Sequence, residues 1–354
     1  MENRNGTFFI FLIILISILS GCEAVAELFH GPNPEEQELT KETIIYIVGN
    51  DVNTAGKKVA TVWKNRIATT ISDGTKDSSA YAITASGSDI YIAGENDGIG
   101  TVWKNGVIAG VYTNYSVSLT AVSKIAVVGS DVYISGKDYL LKNGISQPLT
   151  VNGNNTSNII ALTADSSDVY LLFKMNNPYG NPQDYYYLWK NGTITYHTLP
   201  PINDSLYISS SVRGTVANAM TVVSSNIYIA GREIRDDLVR NGGVWKNFVG
   251  TRYASGDSTT PIAIVVSGSD VYIAANDSKN GSGIWKNGVK TLLAGGESLT
   301  INGMTVVGSD VYVTGTVKNA SNRTVAMLWK NGVGTALTDG LTDAVANALV
   351  VVRK

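Results

Sequence analysis

The 354-residue chain has a single cysteine, Cys22, and two histidines, His30 and His197. One cysteine rules out a disulfide within the chain, and with only two distant histidines there is no zinc-ligand set. The charge is nearly balanced, at −2. Its lysines recur singly instead of forming the basic stripe that nucleic acid requires, so no nucleic-acid partner is expected. No apolar run reaches the roughly twenty residues of a membrane-spanning helix. The longest, Phe8 to Leu19, is twelve residues broken by Ser17. There is no Gly-x-Ser-x-Gly elbow, no phosphate-cradling glycine loop and no histidine with a convincing catalytic partner, so neither cofactor nor catalytic centre is expected.

What the chain does have begins at its start. The short apolar run follows Arg4 and ends in Leu19-Ser20-Gly21-Cys22, which has the length and order of a signal-peptide core. The tetrapeptide resembles the lipobox of bacterial lipoproteins. That resemblance implies cleavage after residue 21, acylation of Cys22, attachment to the lipid bilayer of the cell membrane or outer membrane, and an extracytoplasmic folded part. The alternative is an uncleaved anchor helix. Residues 22–42, with His30, Pro32 and Pro34, read as a flexible tether.

Internal repeats decide the fold. Trp-Lys-Asn occurs at Trp63, Trp103, Trp189, Trp245, Trp285 and Trp329, with Leu141-Lys142-Asn143 in the missing place, so all six tryptophans share one repeat position. An apolar-Tyr-apolar triplet centred on Tyr46, Tyr91, Tyr133, Tyr170, Tyr228, Tyr272 or Tyr312 precedes each marker. Six of the triplets follow Asp89, Asp131, Asp168, Asn226, Asp270 and Asp310 at a fixed offset. The markers from Trp63 to Trp329 recur every 44 residues or so. Each unit reads as four short strands with Gly-Ser-Asp and Lys-Asn-Gly turns, which predicts an all-β, seven-bladed β-propeller over residues 43–354. Adjacent apolar positions, such as Val244 with Trp245, require both faces of a strand to be covered, as stacked blades provide. Unit one lacks a first strand, and the terminal Ala346-Asn347-Ala348-Leu349 matches Ala217-Asn218-Ala219-Met220, so the C-terminal strand is expected to complete the first blade. An open solenoid is the alternative topology.

The WD40, kelch and sialidase-type signatures are absent. Residues 44–354 resemble a largely uncharacterised group of secreted or lipid-anchored bacterial propellers with Asp-Val-Tyr and Trp-Lys-Asn-Gly repeats, a resemblance that carries no active site. The recurring aspartates fall in separate blades at equivalent turns, where a structural role, the side chain accepting its own backbone N–H, is expected in place of a metal. Asp277 and Asn280 leave a unit-specific calcium loop open.

Length variation concentrates at one end of the blades: the Tyr-to-Trp distance is 8 in unit three, counted to Leu141, and 19 in unit four. Loops there are the expected binding face. Tyr179 and Tyr185 in unit four suit stacking on a sugar or peptide, although Tyr185 could instead belong to the flanking strand and pack inside the blade. Arg232, Arg235 and Asp236 are read as a charged loop of unit five that either grips a ligand or is merely solvated. The expected function is a monomeric binding or scaffold lipoprotein recognising a glycan or an envelope protein. A carbohydrate-active or other hydrolase built on carboxylates such as Asp184 with Asp204 or Asp236 is the alternative, and an envelope assembly component is a third reading.

Overall fold

The structure, a computed structural model, describes residues 42–112, 122–151, 158–175, 185–202, 212–235, 240–254, 259–295 and 299–354. Cys22 and the residues up to 41, read above as a signal segment and tether, lie outside the described residues. No helix among those described is long and apolar enough to cross a membrane. Glu42 and Lys354 exchange two backbone hydrogen bonds.

Strands follow one another in a four-beat meander. β1 (Thr43–Val52), β2 (Lys58–Lys64) and β3 (Ile67–Thr70) come first. Blade two is β4 (Ser78–Ser86), β5 (Asp89–Asn96), β6 (Ile99–Lys104) and β7 (Val107–Tyr112). Blade three is β8 (Lys124–Val128), β9 (Asp131–Ser135), β10 (Leu140–Lys142) and β11 (Ile145–Gln147). Blade four is β12 (Asn158–Asp165), β13 (Asp168–Met175), β14 (Tyr185–Lys190) and β15 (Thr193–His197). Blade five is β16 (Val212–Val223), β17 (Asn226–Arg235), β18 (Arg240–Lys246) and β19 (Val249–Ala254). Blade six is β20 (Thr259–Ser267), β21 (Asp270–Asp277), β22 (Gly283–Lys286) and β23 (Val289–Leu292). Blade seven is β24 (Thr300–Val307), β25 (Asp310–Lys318), β26 (Thr324–Lys330) and β27 (Val333–Ala336). Finally β28 (Val345–Arg353) pairs with β1, giving blade one the order β28-β1-β2-β3. This is a seven-bladed β-propeller closed by its C-terminal strand, as the repeats predict.

Each marker tryptophan is a wedge against the preceding blade. Trp103 of blade two packs with Val48, Ala60 and Val62 of blade one. Trp245 of blade five packs with Leu172, Tyr186 and Leu188 of blade four. Trp63 closes the ring by packing with Tyr312, Ala326 and Leu328 of blade seven. Leu141 takes the wedge position between blades two and three, against Ala93 and Val102. Burial of an indole removes a large apolar surface from water, which is why this one position carries every tryptophan.

The second marker set forms a polar clip at the turn end of five blades. In blade two the Asn105 side chain accepts from the Ile90 N–H and donates to Asp89 Oδ1, both at 2.9 Å. Lys104 reaches Asp89 Oδ2 at 2.7 Å while lying over the Tyr91 ring. The same clip joins Asp131 to Lys142 and Asn143, Asp168 to Lys190 and Asn191, Asp270 to Lys286 and Asn287, and Asp310 to Lys330 and Asn331. The recurring aspartates therefore have a structural task, through partners in the neighbouring turn and not through their own backbone. Asn105 and Gly106, with φ of 52° and 83°, form the left-handed pair of a type I′ hairpin.

The clips predict acid sensitivity. The lysine ammonium, and after it the asparagine amide, holds each of Asp89, Asp131, Asp168, Asp270 and Asp310 below its ordinary value of 3.8. A lowered folded-state pKa contributes stability that is present above the unfolded value and lost as pH falls through the folded one. The unfolding midpoint should therefore begin to fall below about pH 4, and Asp89→Asn should flatten that slope, as thermal unfolding between pH 2 and 8 would register. A midpoint that ignores pH below 4 would show that the clips add nothing measurable.

Candidate functional site

The inner strands surround a cavity of about 380 Å³, to which all seven blades contribute. In β4, β12, β16, β20 and β24 the pairing slips by one residue, bulging out Tyr81, Ile160, Asn218, Ile262 and Asn302, all of which line it. A bulge re-aims a side chain. Two of the asparagines lining the cavity stitch neighbouring blades: Asn302, at its bulge, donates to the Ala346 carbonyl at 3.0 Å and Asn347 to the Ala80 carbonyl at 2.8 Å. Opposite β28 and three of these inner strands sit Gly49, Gly94, Gly231 and Gly315, where a Cβ would collide with the carbonyls of Val345, Ser79, Val216 and Thr300. Lys124 also lines the cavity, and burial pushes its pKa down. Tyr81 donates to Glu95 at 2.5 Å; burial first, then that carboxylate, pushes its phenol up to about 12. No carboxylate lines the cavity among the described residues.

Blade four carries an aromatic face. Phe173, Tyr187 and Tyr196 are direct cross-strand partners on β13, β14 and β15. Phe173 and Tyr187 stack with centroids 5.5 Å apart, and Tyr196 lies 5.6 Å from both Tyr187 and Tyr185. Tyr186 points the other way, as the two-residue period of a strand demands. Its hydroxyl is buried between the Thr215 carbonyl and the Ala217 N–H of blade five. The layer shared with blade three covers Phe173 and Trp189. Tyr196 is 50% exposed, and Tyr185 and Tyr187 are half-buried. The cause is the neighbour: β10 begins at Leu140, the repeat equivalent of Leu188, so blade three has no strand opposite Tyr185 to Tyr187.

The sequence-predicted residues fare unequally. Tyr185 belongs to strand β14, as one of its two readings had it, yet its ring is part of the half-exposed aromatic face. Tyr179 and Asp236 lie outside the described residues, as do Asp184 and Asp204. Arg232 and Arg235 are not loop residues: β17 extends through Arg235 because β16 is also long, and the two remain paired out to Val212. Arg232 crosses to blade six, donating from Nη1 to Thr260 Oγ1 at 2.8 Å. Glu233 beside it is 1% exposed and accepts from the Ile202 N–H at 3.1 Å. Asp277 accepts from the N–H groups of Lys279 and Asn280 and meets Lys290 at 3.1 Å, which closes its own loop. Burial pushes the His197 pKa down, and its ring stacks on Phe248 at 3.7 Å. Tyr196 and Phe173 were missed. Their signal was the contrast between the shortest connection, in unit three, and the longest, in unit four.

No family model and no curated protein matches the sequence. Similar solved structures include the computationally designed Ika8 protein, at 15% identity and TM-score 0.46, covering 87% of this chain and 93% of that one. The β-propeller domain of the Trilobed protease from Pyrococcus furiosus is similar at 11% identity and TM-score 0.47, with 85% and 95% covered. A prolyl endopeptidase is similar at 10% identity and TM-score 0.46, and the match spans 85% of this chain but 49% of that longer one.

Proposed function

We propose that this chain is an extracytoplasmic binding lipoprotein, tethered to the bilayer through acylated Cys22, that recognises a glycan on the aromatic face of blade four. The observation that carries the reading is the set Tyr185, Tyr187 and Tyr196, stacked on a rigid strand pair yet half exposed. Flat rings held in place by neighbours lose little freedom when a sugar ring lies on them, and phenol hydroxyls supply directional hydrogen bonds at their edges. A rigid platform at the variable end of a propeller suits recognition more than turnover.

A glycan array probed with the detergent-solubilised full chain tests this. Selective binding is expected, weakened about tenfold or more by Tyr196→Ala, a loss near 1.4 kcal/mol that is in line with one aromatic stacking contact. A folded chain that binds no glycan, or one whose binding ignores both Tyr196→Ala and Tyr185→Ala, would remove the reading. Anchoring is tested separately: palmitate labelling and membrane fractionation should both be lost in Cys22→Ser.

A further inference from the structure

The repeat itself marks two blades as different: in blade one Ile44 stands where other blades have the clip aspartate, and Lys64 lies 5.7 Å from the Tyr46 ring centroid. Five clips pair a lysine with an aspartate at 2.7 or 2.8 Å, four from Trp-Lys-Asn and one, Lys142, from Leu-Lys-Asn. Blade five has Asn226 at that position. Asn226 preserves the clip's geometry, since its Oδ1 accepts from Asn247 Nδ2 at 2.9 Å and Asn247 Oδ1 still accepts from the Ile227 N–H at 2.9 Å. What is lost is the charge. Lys246 lies 5.4 Å from the Tyr228 ring centroid and, among the described residues, has no carboxylate partner.

That uncompensated ammonium stands over a cleft. Between blades five and six is a cavity of about 310 Å³, lined by Lys246, Tyr228 and Thr251 over an apolar floor of Val244, Val271 and Ile273. Arg252 contributes to the wall but has an interaction of its own. Asp270, the aspartate of the blade-six clip, is engaged by Lys286 and Asn287, each at 2.7 Å. No carboxylate lines the cleft among the described residues. An exposed lysine holds an anion weakly by itself. An apolar floor beside it changes the balance, because a ligand can bury carbon surface while its charge stays on the ammonium.

We propose that the cleft between blades five and six is a binding site for a small organic carboxylate, with the carboxylate on Lys246 Nζ and an apolar or aromatic body against Val244, Val271 and Ile273. Asn226 in place of the aspartate that five other blades carry is the feature that leaves the lysine without a carboxylate, and the apolar cleft beneath it is what distinguishes it from Lys64 of blade one. This site is separate from the aromatic face of blade four and stands whether or not a glycan binds there.

The repeat supplies its own test. Asn226→Asp installs in blade five the residue that five other blades already carry, so the fold is expected to survive, and thermal unfolding verifies that. The full chain is titrated with benzoate and with benzyl alcohol, followed by NMR of the blade-five and blade-six amides. Saturable benzoate binding is expected, weakened about tenfold or more both by Asn226→Asp and by Lys246→Gln. Benzyl alcohol, which keeps the ring and lacks the charge, should bind more weakly and be indifferent to either change. The proposal is overturned if benzoate shows no saturable binding, or if a folded Asn226→Asp variant binds it as the original chain does.

Discussion

A chain ending before Val345 is expected to lose cooperative folding and to associate. β28 is the inner strand of blade one, and its removal leaves β1 with a row of unpaired backbone groups beside the central cavity. An open edge of this kind pairs with other chains. The loss extends past one strand. Ala344, Ala346 and Leu349 belong to the apolar layer that joins blades seven and one. Ala346 and Asn347 also carry the two asparagine bonds that link blade seven to blade one and blade one to blade two. Gly49 has lost its side chain to let the Val345 carbonyl approach, an accommodation with no purpose once β28 is gone. Size-exclusion chromatography and circular dichroism should show oligomers with a broadened, low-temperature transition. A synthetic peptide of residues 343–354 should restore a sharp transition by adding the missing strand in trans. A truncated chain that stays monomeric and unfolds as sharply as the original would mean that the closing strand is dispensable.

This closure was legible in the sequence because it depends on a repeat: Ala346-Asn347-Ala348-Leu349 spells the same inner strand as Ala217 to Met220. The clips were half legible. Asp-x-Tyr and Trp-Lys-Asn could be counted from the chain, but that Asp89 meets Lys104 and Asn105 across a hairpin is a fact of register, and turn propensity alone pointed to the aspartate's own backbone. The aromatic face depends on two blades at once. Tyr185 was visible as a tyrosine among tyrosines, whereas its exposure follows from how short β10 is in the blade before it. The charged stretch of blade five was misread because polar composition resembles a loop. Arg232 and Glu233 are strand residues whose side chains bond to Thr260 and to the Ile202 N–H, a role that no local pattern announces.

Trp63→Ala is expected to destabilise the fold by about 3–5 kcal/mol, the range for emptying a buried tryptophan site. That is a large share of the 5–15 kcal/mol that holds a typical domain together. Trp63 is fully buried and bridges Ile47 to Tyr312 and Leu328 across the ring closure. Blade three, which uses Leu141 as its wedge, shows that a leucine can hold the position, so Trp63→Leu should cost less than Trp63→Ala. Phenylalanine separates packing from hydrogen bonding. The Trp63 indole N–H is buried without a partner, as are those of Trp103 and Trp189. In contrast Trp245 donates to the Pro200 carbonyl at 2.8 Å and Trp329 to the Ala294 carbonyl at 2.6 Å. Trp63→Phe loses volume but also removes an unsatisfied donor, whereas Trp245→Phe loses comparable volume and deprives a carbonyl of its bond. The second should therefore cost about 1 kcal/mol more than the first. Urea unfolding of the two variants followed by circular dichroism measures the difference. Equal losses would mean that the indole bonds contribute nothing beyond packing, and that the tryptophans are kept at this position for their size alone.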